Sequence, residues 1–327
     1  MAELVKLASP EPHCRDPRIA AMKNTTPPTA QTPHFSGHET FPLRQMWLKK
    51  AFDRSVDGKV PKTAFTDEEA IAEFGVGKNM VGSIRHWAVA CGVLIEDGSE
   101  DYTVSEWAKS ALSDGGWDPY AENPTTAWHA HWLLAGRGSR STTWHWLFNH
   151  VTAATFSREE LEPALTAYAV SLEPKRKLSA ATLSRDLETC LRGYAPRSAG
   201  ATPEEYAEPM LGELGLLHEE RKGQFAFRRG PKPTLSDAMF AYALLDYWNR
   251  TAPGLSSFAF EAVAYGEGSP GRVFKLDEES VAERLLGLGD LTKNKLTWTD
   301  TAGLRQVHRK SFNDQALSEM LIERAYD

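Results

Sequence analysis

Phe65-Thr66-Asp67-Glu68-Glu69-Ala70-Ile71-Ala72-Glu73-Phe74-Gly75-Val76-Gly77-Lys78-Asn79-Met80-Val81-Gly82-Ser83-Ile84-Arg85-His86-Trp87-Ala88-Val89-Ala90-Cys91-Gly92-Val93-Leu94-Ile95 decides the fold. Thr66 stands three residues before Glu69, the pattern of a capping box, and predicts a short helix with Ala70, Ile71 and Phe74 on its apolar side. Gly75 and Gly77 are too close together to continue that helix and predict a turn. A second helix is expected from about Lys78 to Cys91, because Met80, Val81, Ile84, Trp87, Ala88 and Cys91 recur at helical spacing. Gly92 ends it. Val93-Leu94-Ile95, a turn at Asp97-Gly98, and Tyr102-Thr103-Val104 then read as a hairpin. Helix, turn, helix and hairpin in this order predict a winged helix-turn-helix unit.

Opposite its stripe the second helix carries Lys78, Asn79, Gly82, Ser83, Arg85 and His86. Lys78 and Asn79 fall in the first turn, where recognition helices place groove contacts. An asparagine can pair with adenine and an arginine with guanine, each through two hydrogen bonds. Lys78, Asn79, Ser83, Arg85 and His86 are therefore candidate DNA contacts. A polar outer face is also what any soluble amphipathic helix shows, and winged helices also bind proteins.

The helix-to-hairpin junction Cys91-Gly92-Val93-Leu94-Ile95 recurs as Leu214-Gly215-Leu216-Leu217-His218 and again as Leu288-Gly289-Asp290-Leu291-Thr292. Thr202, Pro203 and Glu205 start a helix before the second copy, and Asp277 starts one before the third. Phe225-Ala226-Phe227 and Leu296-Thr297-Trp298 supply further strand-like runs. The expected fold is mainly α with small β-hairpin wings, an α+β chain of several winged-helix-like units joined by a helical linker region. Residues 1–33, rich in proline and without apolar period, read as a flexible leader. Residues 34–113 read as the N-terminal unit, 114–200 as the helical linker, and 201–327 as a region with one or two further units.

Composition narrows the class. The 327 residues carry 37 basic and 44 acidic side chains, a net charge of −7, whereas many DNA binders are strongly basic. The basic residues are clustered, however. Arg221, Lys222, Arg228 and Arg229 form one strip, with Lys293 and Lys295 in another, and both are candidate DNA contacts. No apolar run is long enough to span a bilayer, and no signal peptide is visible. Three scattered cysteines fit neither a disulfide framework nor a zinc site, and a reducing, cytoplasmic setting is expected. Gly75-Val76-Gly77-Lys78-Asn79 lacks the spacing of a phosphate-binding loop, so no nucleotide cofactor is expected.

Two clusters invite chemistry. His38, Glu39 and Arg44 lie just before a helix, and offer a base, a metal-binding carboxylate and a phosphate clamp. Glu39 with Arg44 can equally be a structural ion pair. Trp128-His129-Ala130-His131-Trp132 and Thr143-Trp144-His145-Trp146 concentrate rings. His129 and His131 point to different sides of a helix, so aromatic packing is favoured over a metal shared with His145, and stacking on bases is a further use.

Phe35-Ser36-Gly37-His38-Glu39-Thr40-Phe41-Pro42-Leu43-Arg44, with Gly75-Val76-Gly77-Lys78-Asn79-Met80-Val81 and Ile84-Arg85-His86-Trp87, resembles a bacterial family catalogued as a domain of unknown function. Its members are encoded in DNA phosphorothioation islands, beside sulfurtransferase-like and cysteine-desulfurase genes. Within it the chain is most similar to the nicking component of a single-strand phosphorothioation and anti-phage defence system. The resemblance implies a DNA-nicking protein working with a cysteine desulfurase, an ATPase and an ATP pyrophosphatase. It carries over no catalytic residue set. From the residues themselves, metal-dependent hydrolysis would use Mg²⁺ or Mn²⁺ at Glu39, with His38 and Arg44 as the other catalytic groups. The competing readings are a non-catalytic DNA-binding adaptor or transcription regulator, and a protein-interaction scaffold. A homodimer would suit paired half-sites.

Overall fold

The computed structural model describes residues 32–175, 178–195, 209–301, 303–312 and 314–327. The proline-rich leader apart from its last two residues, Cys14, and the helix start at Thr202, Pro203 and Glu205 lie outside the described residues.

Three times the chain runs helix, short strand, two or more helices, hairpin. The first pass has α1 (Trp47–Phe52), β1 (Lys59–Pro61), α2 (Ala70–Phe74), α3 (Lys78–Ala90), β2 (Leu94–Ile95) and β3 (Asp101–Val104). Next come α4 (Glu106–Leu112) and α5 (Pro124–His131), the latter running on as a π-helical stretch, Trp132–Arg137. The second pass has α6 (Thr142–His150), β4 (Thr155–Ser157), α7 (Arg158–Leu172), α8 (Ala180–Tyr194), β5 (Leu217–Arg221) and β6 (Gln224–Phe227). The third has α9 (Asp237–Thr251), β7 (Ser257–Ala259), α10 (Phe260–Tyr265), α11 (Pro270–Val273), α12 (Glu278–Leu286), α13 (Leu288–Leu291), β8 (Leu296–Thr301) and β9 (Leu304–Arg309), and α14 (Gln315–Arg324) closes the chain. Each pass makes one three-stranded antiparallel sheet in which its first strand pairs with its third, in the orders β1-β3-β2, β4-β6-β5 and β7-β9-β8. The class is α+β. No helix among the described residues is long and apolar enough to cross a membrane.

The differences from the sequence reading have local causes. β1, β4 and β7 are three-residue strands, too short to carry an alternating pattern, and are held only by pairing to β3, β6 and β9. The capping box at Thr66 does not form. Thr66 Oγ1 donates to the Thr63 carbonyl, and α2 starts at Ala70 without a side-chain cap. A capping box is present instead at Ser157 and Glu160, at the start of α7. The first helix starts at Trp47, and just before it Leu43 and Arg44 pair their backbone with Met210 and Pro209. The third junction, Leu288 to Thr292, is helical, and its hairpin begins only at Leu296.

The core is aromatic. Trp87, Trp128, Trp132, Trp144 and Trp248 are all buried, so none of these rings is available to stack on a base. His131 is buried among them, accepting from the Tyr194 hydroxyl at 2.6 Å and donating to the Val273 carbonyl at 3.0 Å. His129 lies 4.4 Å from the Trp107 ring and 5.5 Å from Tyr242. Burial lowers both imidazoles to about 3, so they stay neutral at physiological pH. Cys91 and Cys190 are free and buried, as an apolar-stripe position predicts for Cys91.

One charged group braces this core. Asp246 of α9 accepts from Arg137 Nε and Nη2 (3.1 and 2.6 Å), Arg250 Nε (3.1 Å) and the Trp132 indole N–H (2.9 Å). Burial alone would raise its carboxyl; the arginine charges and these bonds reverse that and hold it below the usual carboxylate value. A carboxyl so depressed contributes stability at neutral pH that is lost as pH falls below about 3.8 and through the folded value. Asp246→Asn should therefore cost about 2–3 kcal/mol in urea unfolding at pH 7. The gap to the parent protein should shrink as the unfolding is repeated toward pH 3, and a pH-independent gap would show that the charge is not the cause.

Candidate functional site

Segment 32–43 has no regular structure and is pinned to three helices at once. His34 exchanges hydrogen bonds with Thr142 at the start of α6, its N–H reaching Thr142 Oγ1 (2.8 Å) and its carbonyl accepting from the Thr142 N–H (3.1 Å). Asp186 of α8, 2% exposed, accepts from the Ser36 N–H (2.8 Å), from His38 Nε2 (2.6 Å) and from the Thr143 hydroxyl. The Ser83 hydroxyl of α3 donates to the His38 carbonyl (2.8 Å), and the Trp87 indole donates to the Phe41 carbonyl (3.1 Å). The His38 ring lies among Trp87, Trp144 and His86.

The tautomer of His38 follows from its partners. Its Nδ1 accepts from the Thr40 N–H at 3.1 Å, so Nε2 carries the proton that Asp186 receives. Both nitrogens are spent inside the fold, and the ring is buried. His86 is buried too. Its burial, then the nearby His38 and His34, hold its imidazole well below the ordinary histidine value. Gly37, at φ +98°, passes so close that a Cβ there would stand 2.6 Å from His86 Nδ1.

These contacts sort the candidate residues. Ser83 and His86, expected on the outer face of α3, are covered by segment 32–43, which buries a second flank of that helix. Lys78, Asn79 and Arg85 are exposed on it. Glu39, at φ +48°, is exposed and lies over Gly82; a Cβ at that glycine would stand 3.7 Å from the Glu39 Cγ. Lys78, Asn79 and Arg85 stand about one turn of helix either side of Gly82. Arg44 goes elsewhere, its guanidinium over the Phe41 and Trp47 rings (5.9 and 5.3 Å). The three catalytic candidates thus occupy three different environments. Arg221, Lys222, Arg228, Arg229 and Lys293 are exposed, whereas Lys295 is paired with Asp314 at 2.7 Å. His145 does not approach His129 or His131 as a ligand set, but faces His150 and Glu267.

The segment-bound helix face and the thrice-repeated small sheet define an α+β protein that presents one polar helix surface, braced from behind by a buried carboxylate. The chain belongs to the family described as Protein of unknown function (DUF4007), which matches residues 35–326. It is also similar to two crystal structures of SspB, one of them magnesium-bound, at 26% identity and TM-scores of 0.79 and 0.78, over 90% of this chain and 89% of those chains. A search of curated proteins finds no match.

Asp186→Ala would strand three buried donors, from Ser36, His38 and Thr143. Urea unfolding should show a loss of about 3 kcal/mol or more. Lys78→Ala, on the exposed face, should stay within about 0.5 kcal/mol of the parent protein. Equal effects in the two variants would refute the division between brace and surface.

Proposed function

We propose that this protein is the DNA-engaging component of a bacterial DNA phosphorothioation and anti-phage defence system, and that it nicks DNA to give access for sulfur incorporation. The observation that carries the reading is the exposed face of α3, which bears Lys78, Asn79 and Arg85 and over whose Gly82 the Glu39 side chain lies. The likeness to SspB and the family membership support the system; the motif order supports the surface. Helix, strand, two helices and hairpin, with the first strand paired to the third, is the arrangement expected of a winged helix, and α3 then takes the position of a recognition helix. The exposed Arg221, Lys222, Arg228, Arg229 and Lys293 extend the phosphate-binding surface. Lys295 contributes less while it holds Asp314. The partners in this reading are DNA, a cysteine desulfurase and the other phosphorothioation components, in a cytoplasmic setting.

Glu39 suits Mg²⁺ or Mn²⁺, because such ions are commonly held by one or two carboxylates together with phosphate oxygens and water. A bound ion would stabilise charge on the phosphate undergoing hydrolysis. His38 then acts as a positioning residue, since neither ring nitrogen is open to a water molecule. That same engagement favours the second reading, a DNA-binding adaptor whose chemistry resides in its partners.

Conversion of supercoiled plasmid to open circle separates the two. Nicking in Mg²⁺ or Mn²⁺, abolished by EDTA and reduced at least about 100-fold in Glu39→Ala, is the expected result. Full nicking by a folded Glu39→Ala variant would sink the metal assignment, and a gel shift without any nicking would leave the adaptor. Under either reading Lys78→Ala combined with Arg85→Ala should weaken DNA binding about 10-fold or more and flatten its salt dependence. Unchanged affinity would remove α3 from the interface.

A further inference from the structure

Outside the α3 face, one cluster brings metal-ligating groups together. His145 and His150, both on α6, direct their Nε2 atoms at the same carboxylate oxygen of Glu267, at 3.3 and 3.1 Å. Glu267 lies on the turn between α10 and α11. The three ligand atoms all fall within 4.8 Å of one another. Around a tetrahedral ion with bonds of ~2.1 Å, neighbouring ligand atoms stand about 3.4 Å apart, so each histidine–glutamate separation is already near the required value.

The hydrogen bonds behind His145 settle which of its nitrogens is the ligand. Its Nδ1 is 2.9 Å from the Ala135 carbonyl, which can only accept, so Nδ1 carries the proton. The neighbouring Asn149 amide offers no competing proton, because its two N–H groups go to the Ala135 and His145 carbonyls, each at 2.9 Å. In neutral His145 the Nε2 lone pair therefore points at a carboxylate oxygen. Two electron pairs facing each other at 3.3 Å repel unless a proton or a metal ion lies between them, and a metal ion can replace that proton. A ring N–H given to a backbone carbonyl, with the other nitrogen turned to a carboxylate, is also how metal-bound histidines are oriented.

The loop bearing Glu267 is fixed rather than loosely placed. The Gly268 N–H donates to the buried Asn149 Oδ1 at 2.7 Å. Gly268 has φ +75°, and a Cβ there would meet the Gly136 carbonyl at 3.3 Å and His145 Cε1 at 3.8 Å. Asn149 thus holds the loop and one histidine with a single side chain. All three ligand side chains keep solvent access, at 20, 32 and 54% exposure, which leaves coordination positions open.

We propose that His145, His150 and Glu267 form a site for a borderline divalent transition metal, Zn²⁺ above all, with Asn149 as its orienting residue. Two imidazoles and one carboxylate match zinc sites that keep an open position, and are poor ligands for Mg²⁺, which demands oxygen. The site is separate from the α3 face, so its test does not depend on DNA binding or nicking.

The test is Zn²⁺ titration of the full chain at pH 7.5, followed by calorimetry and by thermal unfolding. One ion per chain should bind, and Tm should rise with Zn²⁺ concentration. His150→Ala and Glu267→Gln should each weaken binding at least 10-fold with circular dichroism unchanged, and Asn149→Ala should weaken it by a similar factor. Millimolar Mg²⁺ should not compete. No binding, or binding that persists in the His150→Ala/Glu267→Gln double variant, would overturn the proposal.

Discussion

The carboxylate of Asp186 is the constraint on which the candidate site depends. It collects a backbone N–H, an imidazole N–H and a hydroxyl in an almost water-free position, where each donor would otherwise be unsatisfied. Those donors come from segment 32–43 and from α6, while the carboxylate itself belongs to α8 in the second pass of the chain. The same segment receives the Ser83 and Trp87 bonds of α3. A helix of the first pass is thereby registered against helices of the second through a stretch that has no regular structure of its own. The exposed face of α3 inherits its orientation from this brace.

That brace changes how the conspicuous residues should be understood. A histidine beside a glutamate invites a catalytic reading, yet His38 turns inward and Glu39 outward, because Ser36, Glu39 and Thr40 all take left-handed backbone conformations around it. The turn spends the imidazole on architecture and delivers the carboxylate to the surface. The aromatic-histidine runs behave alike. His131 and His129 are neutral core groups, and His145, at the rim, faces a carboxylate. An overall charge of −7 is compatible with a DNA-facing role because exposed cations gather locally, at Arg221, Lys222, Arg228 and Arg229 and at Lys78 and Arg85 on α3.

Local chemistry was legible in the sequence wherever it had a period or a punctuation mark. The α3 stripe ending at Gly92, the Asp277 cap and the first two hairpins appear where their residues place them. The first strand of each sheet was not legible, since three residues hold no periodicity and exist as strands only by virtue of a partner. The burial of Ser83 and His86 was equally hidden, because helical spacing identifies an apolar stripe and is silent about a polar segment laid across the opposite flank.

The sequence by itself therefore determined the main helices, the first two hairpins, their order and the identity of the cations on α3, all of which follow from interactions between residues a few positions apart. Tertiary structure alone decided which polar groups became internal. Asp186 lies 148 residues from His38, and Glu267 lies 122 from His145 and 117 from His150. His145 and His150 are five apart, a spacing that does not align side chains on a helix face, and they converge only because His150 is the last residue of α6 and a distant loop supplies the carboxylate between them. Pairings at such separations leave no trace in local spacing, because the free energy that selects them comes from burying donors and acceptors together once the chain has closed.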